Sequence, residues 1–502
     1  VKFALEDIVR VTGGRVQGAA VNSAARFESE VGSSVSGEIS SSPDLRKSEF
    51  ITGNVICSVV FDTRKLWSAE TSSTLFVALK GVRDGHSYLG EAYRAGVRTF
   101  LVSRFESNLI LQFNDALFIV VEDTLVALQQ WAAWHRKQVT GVVVGITGSN
   151  GKTIVKEWLG LLFKGDFSMG KSPRSYNSQL GVALSLLDIP LGTQLSLLEV
   201  GISGAADMGT LRAMVQPNLA VITHLGEAHA EGFASLQEKA KSKVSLADGA
   251  DVVVYPFDLE AVRTEISTLK SRNALMKTIH WGWKEGAQFR ITEVEVLSAS
   301  DLSAGVSGSN SISEAGGQRI HFVHRGTSHQ LDIPFMDSAS VSNAMTCLCV
   351  LQALERWDPS HLDRFMQLPH LENRLQFVAG RLGNYILNDS YSADLESLGV
   401  ALDMLKRQSP NLPLMSILGS FEQTGMDISD LRDSILRMLF NYGVREAVFV
   451  GVEFRGLGSG NFGLEKIWQF DTISALMDSA VLSGIASQSI LIKGSRNSGL
   501  ER

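Results

Sequence analysis

The chain has 502 residues, 44% hydrophobic and 20% charged, with 46 basic against 53 acidic side chains for a formal charge of −7. That length exceeds one ordinary core and asks for several domains, while the composition is that of a soluble globular protein with no dense basic stripe for nucleic acid. No run reaches the roughly 18 uninterrupted apolar residues of a membrane span, the opening VKFALEDIVR lacks a signal-peptide core, and three cysteines are too few for a disulfide framework.

In chain order, the first feature is a Ser/Gly/Ala-rich stretch from about Gly18 to Glu49, without periodicity, which reads as a loop insertion. Between Val55 and Arg104 the pattern is strand (SVVFDTR), turn, strand (TLFVALKG), amphipathic run to Gly96, then strand (RTFLVS), a small α/β unit. Leu125 to Arg136 reads as a helix leading onward. From Gly141 apolar strands at Val142–Ile146, Leu195–Leu198, Leu219–Ile222 and Val252–Tyr255 alternate with helices, the first at Thr153–Phe163 with Val155, Leu159 and Leu162 on one face. Continuous apolar runs separated by helices imply a parallel sheet covered on both sides. A second insertion of similar composition spans about Ser298 to Gln318. Cys347 and Cys349 sit in an apolar helical run, AMTCLCVLQAL, and with Cys57 read as small apolar residues of a reducing compartment rather than metal ligands. After Glu372 strands recur at Tyr385–Leu387, Leu414–Leu418, Val448–Val450 and Ile490–Ile492. One helix there is well signalled, with Asp427 as N-cap, Leu431, Ile435 and Leu439 on one face and Gly443 past the end. The expectation is three α/β domains, over residues 1–122, 123–371 and 372–502.

The segment GITGSNGKT, residues 145–153, lies between a buried strand and an amphipathic helix. Gly148 and Gly151 let the backbone approach phosphate oxygens, with Ser149 and Asn150 between them. The helix N–H groups point at the anion, Lys152 adds a charge, and Thr153 can ligate Mg²⁺. Ile146 occupies the first glycine position of the strict P-loop expression, so a tight structural turn stays open as the competing reading. In a parallel sheet ligands gather at strand carboxyl ends. Two further ends carry suitable chemistry: LLEVGIS places Glu199 there, and AVITHLGEAHAEGF places His229 in the loop beyond. Carboxylate, imidazole and hydroxyl beside phosphate suit a divalent ion, although imidazole is unusual for Mg²⁺. Taken singly, Glu199 also suits a helix cap and His229 a satisfied loop histidine.

These residues resemble the Mur ligase family of bacterial cell-wall synthesis, whose phosphate loop T-G-[ST]-N-G-K-T is similar to Thr147–Thr153. The resemblance is most specific to the branch that adds D-alanyl-D-alanine to UDP-N-acetylmuramoyl-tripeptide. It is carried by TLFVALKGVRDGH (74–86), SYNSQLGVALSLL (175–187), GEAHAEGF (226–233), RLQ…NDSYSADLESL (374–398) and LIKGSR (491–496), in order over about residues 55 to 500. It implies a UDP-sugar-binding first domain, a central ATPase domain and a Rossmann-like third domain. It implies an ADP-forming carbon–nitrogen ligase that uses ATP and two Mg²⁺ ions, with Lys152 and Thr153 on the phosphates and Glu199 and His229 as metal ligands. Lys243, by itself an ordinary helical lysine, takes the place of the family's carbamoylated lysine, which also ligates metal. Asn343 resembles an adenine contact, and Arg374 and Asp389 resemble third-domain residues that close over the nucleotide. Asp62, Thr63, Arg64, Asp84, Gly85 and His86 resemble the UDP-sugar site. Asn177 and Ser178 would face the muramoyl-peptide, and Lys493 and Arg496 the incoming dipeptide. His224, Ala339-Ser340 and Ser392 stand where the family often has Asn, His-Asn and Asn.

The implied chemistry is attack of the peptide carboxylate on the γ-phosphate, then of the dipeptide amine on the acyl phosphate, with His229 a candidate base. The implied setting is cytoplasmic, without nucleic acid or membrane insertion. The phrasing is most similar to Bacteroidetes members, often fused to a downstream alanine racemase, and a start without Met and an end at Arg502 fit a piece of such a fusion. Two other readings remain: a single-amino-acid-adding ligase of the same fold, and a non-catalytic relative. The diaminopimelate-adding D-N-P-R motif is absent, and folate-type enzymes lack a domain like residues 55–104. Joint retention of Lys152, Thr153, Glu199, His229 and Lys243 argues for catalysis.

Overall fold

The computed structural model describes residues 1–18, 54–298 and 316–501, apart from 69, 82, 203, 205, 227–231, 410, 422–425 and 458–462. Most of both serine-rich spans, and His229, lie outside the described residues. The described ends of those spans are ordered: Gly18 closes the strand Arg15–Gly18, and Gly317 opens the strand Gly317–His324. The chain packs as two compact units, one of Val1–Val142, Ser168–Leu198 and Ala213–Gln216, the other of Val143–Phe167, Glu199–Arg212 and Pro217–Arg502.

In the first unit five strands lie in the order Arg15–Gly18, Leu117–Val120, Thr99–Val102, Thr74–Val77 and Ser58–Val60. The last four run parallel and Arg15–Gly18 is antiparallel at one edge. Alternation of β-branched and aromatic residues lets Phe76, Phe100 and Phe118 fill one face, the latter two stacked with centroids 5.3 Å apart. The amphipathic run before Gly96 resolves into a 3₁₀ turn, Gly85–Tyr88, and a helix, Leu89–Arg94. Asp123 caps the helix Thr124–Arg136 by accepting from the N–H groups of Leu125 and Val126. The same unit holds the parallel pair Met169–Lys171 and Leu195–Leu198, with the helix Gln179–Leu187 between them in sequence.

The second unit carries two sheets. In one, Val142–Thr147, Leu219–Ile222, Val252–Pro256 and Lys277–Gly282 are consecutive parallel neighbours. Phe289–Leu297, Gly317–His324 and Thr327–Ile333 extend that sheet, the last two joined antiparallel. This extension was not visible in the sequence pattern: Phe289–Leu297 alternates Phe, Ile and Val with charged residues on an exposed face, and the span expected as insertion interrupts it. Val143, Val144 and Ile146 are fully buried, each contributing about 1.5–3 kcal/mol of burial. The other sheet has the order Gln376–Ala379, Tyr385–Asp389, Ser489–Lys493, Leu414–Leu418, Val444–Val450 and Lys466–Phe470, parallel except at its first pair. Its helix Ile428–Tyr442 starts at Asp427 and ends at Gly443, whose φ of 85° suits a residue without Cβ.

Candidate active site

The phosphate loop leaves the strand Val142–Thr147 and enters the helix Lys152–Leu162, which Gly151 opens in a left-handed conformation without a side-chain cap. Its glycines are required by space as well as by φ. A Cβ on Gly148, at φ 149°, would meet Thr223 Oγ1 at 2.1 Å and the His224 carbonyl oxygen at 2.9 Å, and one on Gly151, at φ 84°, would meet Asn343 Oδ1 at 2.4 Å. The neighbouring strand end holds the loop in place. Ser149 N–H donates to the His224 carbonyl at 2.7 Å, and Thr223 Oγ1 donates to the Asn150 carbonyl at 2.6 Å. The walls of this turn are therefore mostly main chain.

Four of the expected residues converge at the helix start. Thr153 Oγ1 donates to Glu199 Oε2 at 2.9 Å, Arg374 Nη2 reaches Thr153 Oγ1 at 3.2 Å, and Lys152 Nζ lies over the loop on the Gly148 and Ser149 carbonyls, 2.9 Å from each. Hydrogen bonding of Val200 N–H to the Ile146 carbonyl sets Glu199 beside the loop, with only 1% of its surface exposed. Lys243 joins from the helix Leu236–Val244, buried, its Nζ donating to the Gly148 carbonyl at 3.0 Å. Burial lowers the pKa of Lys152. It holds Lys243 well below the usual lysine range, with the ammonium groups of Lys152 and Lys239 adding to the effect. Concentrated positive charge around a free helix N-terminus is an anion trap.

Residues that sequence reasoning missed complete this region. Lys239, one turn before Lys243, is buried and donates to the Gly226 carbonyl. Its i, i+4 spacing from Lys243 was the available signal. Lys156, fully buried one turn beyond Lys152, lies 3.1 Å from Glu157 Oε1 and 3.9 Å from Glu199 Oε2. Nothing in the sequence marks it as anything but a surface lysine.

A cavity of about 200 Å³ opens beside the loop, lined by Asn150, Gly151, His224, Asn343, Arg374, Asp389 and Glu396 among others. Asn343, Ala339 and Ser392 line this wall together. His224 Nε2 pairs with Glu396 Oε1 at 2.6 Å. Asp389 is buried against Lys493 Nζ, which also donates to the Ser392 carbonyl at 3.0 Å. Burial raises the Asp389 pKa in spite of the adjacent ammonium. Lys493 is thus engaged inside the C-terminal sheet, whereas Arg496 is exposed.

In the first unit the expected sugar-site residues are held by one another. Arg64 Nε and Nη2 chelate Asp62 at 2.9 and 2.7 Å, and the buried Thr63 opens the 3₁₀ turn Thr63–Ser68. Asp84 Oδ1 accepts from His86 N–H at 3.0 Å and from His86 Nδ1 at 2.7 Å, while His86 Nε2 accepts from Ser103 N–H at 3.0 Å. That pattern assigns the neutral Nδ1–H tautomer to His86. A Cβ on Gly85 would meet Leu79 N at 2.7 Å. The Asp-Gly-His phrase therefore builds a rigid turn. Ser178 caps the helix Gln179–Leu187 through Gly181 N–H at 3.2 Å, with Asn177 just before it, and Lys65 Nζ donates to Tyr176 Oη at 3.0 Å in the same unit.

Residues 146–351 match the family model of the Mur ligase middle domain. Members of the Mur ligase family are ATP-dependent, ADP-forming ligases. The chain is similar to the UDP-N-acetylmuramoyl-tripeptide–D-alanyl-D-alanine ligase of Bacillus subtilis, 28% identical over 74% of this chain and 75% of that protein. It is also similar to the ligase of the same name from Escherichia coli, 25% identical over 88% and 92% respectively. The fold is that of these enzymes. A crystal structure of MurF from Acinetobacter baumannii superposes with a TM-score of 0.76 at 20% identity, covering 100% of this chain and 97% of that one. MurF from Thermotoga maritima in complex with ADP gives 0.69 at 21%, covering 88% and 95%.

Proposed function

We propose that this chain is an ATP-dependent amide ligase that joins D-alanyl-D-alanine to UDP-N-acetylmuramoyl-tripeptide in peptidoglycan precursor synthesis, acting in the cytoplasm. The observation that carries the reading is the convergence of Lys152, Thr153, Glu199 and Arg374 at one helix start beside a cavity wide enough to admit a base. The three-domain division at residues 1–122, 123–371 and 372–502 is part of the proposal, the first domain taking the UDP-sugar through Asp62–Arg64 and Asp84–His86.

The donor set fits Mg²⁺. Thr153 Oγ1 donates to Glu199 Oε2 at 2.9 Å beside the loop, and these hard oxygens would hold the ion. Bound there with the triphosphate, the ion would neutralise charge on the phosphoryl oxygens. The main-chain N–H groups of the loop and Lys152 orient the β- and γ-phosphates. The tripeptide carboxylate attacks the γ-phosphorus, the bond to the ADP oxygen breaks, and an acyl phosphate forms. The dipeptide's neutral amine then attacks the acyl carbon and phosphate leaves, carrying one oxygen of the original carboxylate. Arg374 would meet the transferring group, and Asn177, Ser178, Lys493 and Arg496 would hold the two peptides. Burial that disfavours the Lys243 ammonium supports carbamoylation of that residue, because only a neutral amine attacks carbon dioxide, releasing one proton.

The test is ADP release with UDP-muramoyl-tripeptide, with and without D-alanyl-D-alanine. Release should require all three substrates, and ¹⁸O from the acid should appear in phosphate. Equal turnover with a single free amino acid would shift the reading to another ligase of this fold; no nucleotide consumption at all would sink it.

A further inference from the structure

Arg374 is held by more than its place in the chain. Its neighbours Asn373 and Leu375 both adopt left-handed backbone, at φ 58° and 46°, a conformation that side chains, leucine above all, avoid unless surroundings impose it. Those surroundings belong to the strand Tyr385–Asp389. Asn388 Nδ2 donates to Asn373 Oδ1 at 2.9 Å, and Leu375 N–H donates to Asp389 Oδ1 at 3.3 Å. Two residues past that strand stands Tyr391, whose ring centroid is 4.1 Å from the Arg374 guanidinium carbon and 5.9 Å from that of Arg496.

A guanidinium is weakly hydrated and stacks on an aromatic face, whose negative quadrupole also lets two cations share one ring. We propose that Tyr391 is a positioning residue: its ring seats Arg374 against Thr153 and shares its field with Arg496, so one side chain sets both the nucleotide end and the terminal-loop end of the site. The inference rests on the nucleotide role proposed above for Arg374. The ring, not the hydroxyl, makes these contacts, so the stacking surface is what must be kept.

The test is a series at position 391 with KM read separately for ATP and D-alanyl-D-alanine. Y391L should raise the KM for ATP about five- to thirtyfold, the range of a partly desolvated cation–π contact, and that for the dipeptide by a smaller factor, while Y391F should restore both to within about twofold of the parent. Y391N serves if Y391L does not fold. Chemical rescue separates positioning from mere folding. Guanidinium ion at non-denaturing concentration should restore part of the activity of R374A, and should do so at least about fivefold less well in R374A/Y391L. An unchanged KM for ATP in both ring-less variants, or equal rescue in both backgrounds, overturns the assignment of Tyr391. Wild-type KM for ATP in R374A overturns the proposed nucleotide site itself, and this inference with it.

Discussion

Lys152, Lys239 and Lys243 surround the phosphate loop, and their amino groups donate to main-chain carbonyls at Gly148, Ser149 and Gly226. If Lys152 meets the phosphates as proposed, removing its charge removes chemistry and leaves the fold: K152A is expected to lose at least about a thousandfold in ADP formation, with an unchanged circular dichroism spectrum. K243A should be nearly inactive and recover partly with added short-chain carboxylates, which would stand in for a carbamate; retained turnover would refute that role. G148A meets two obstacles at once, a Cβ 2.1 Å from Thr223 Oγ1 and a φ of 149°. It should weaken binding of a non-hydrolysable ATP analogue by about tenfold or more, as calorimetry would show. Gly148 and Lys152 were legible as a candidate loop because a glycine turn followed by lysine and threonine has few other uses between a buried strand and a helix, while Lys243 was reachable only through resemblance. Lys156, Lys239 and Tyr391 were not legible, since single-sequence reasoning places lysines in solvent and cannot know what a ring will face.

Among the elements, the helix Lys152–Leu162 carries the loop, and Trp158 anchors it by stacking on Phe335 with centroids 4.7 Å apart. W158A should cost about 3–5 kcal/mol in denaturant unfolding, whereas W158F should keep most of that, because the indole nitrogen is buried without a hydrogen-bond partner among the described residues. The strand Lys277–Gly282 contributes an acid sensitivity. Burial lowers the pKa of His280 to about 4, below the ordinary histidine value of about 6.5. Its ring stacks on Phe257 and its Nδ1 accepts from Gln288 N–H at 3.2 Å. Above pH 6.5 neither the folded nor the unfolded state is protonated there. As pH falls from 6.5 to 4 only the unfolded chain takes up the proton, so stability declines across that window, by about 2–3 kcal/mol in all. H280F should start lower, having lost an acceptor, and show a flatter profile in chemical denaturation between those pH values. The parallel strands were readable as unbroken apolar runs with turn residues between. The antiparallel extension was not, because its pleat pairs charged outward residues with apolar inward ones at strand lengths that a loop-rich stretch interrupts.

On the scale of the molecule, the second unit joins its two sheets beside the cavity through polar links that include Arg374 to Thr153 and Glu396 to His224. The latter pair is about a third exposed on each side, so solvent screens it. E396A should raise the KM for ATP only about two- to fivefold, with faster amide exchange at the start of the helix Leu395–Gln408. A larger loss would mean that Glu396 touches the base directly. The proposed order of three domains rests on motif blocks that follow the family's sequence order, whereas contacts divide the chain into two units. The closing of Arg374 onto Thr153, over 200 positions apart in the chain, was reachable only through resemblance, since no local pattern encodes a contact of that span. One feature of the loop reaches beyond catalysis. Its cradle is drawn in peptide groups from Gly148, Asn150, His224 and Gly226, which stay in place when side chains outside the glycines change. A ligand that took its hold from the main chain of this loop would tolerate exchange of the side chains at positions 224, 339 and 392.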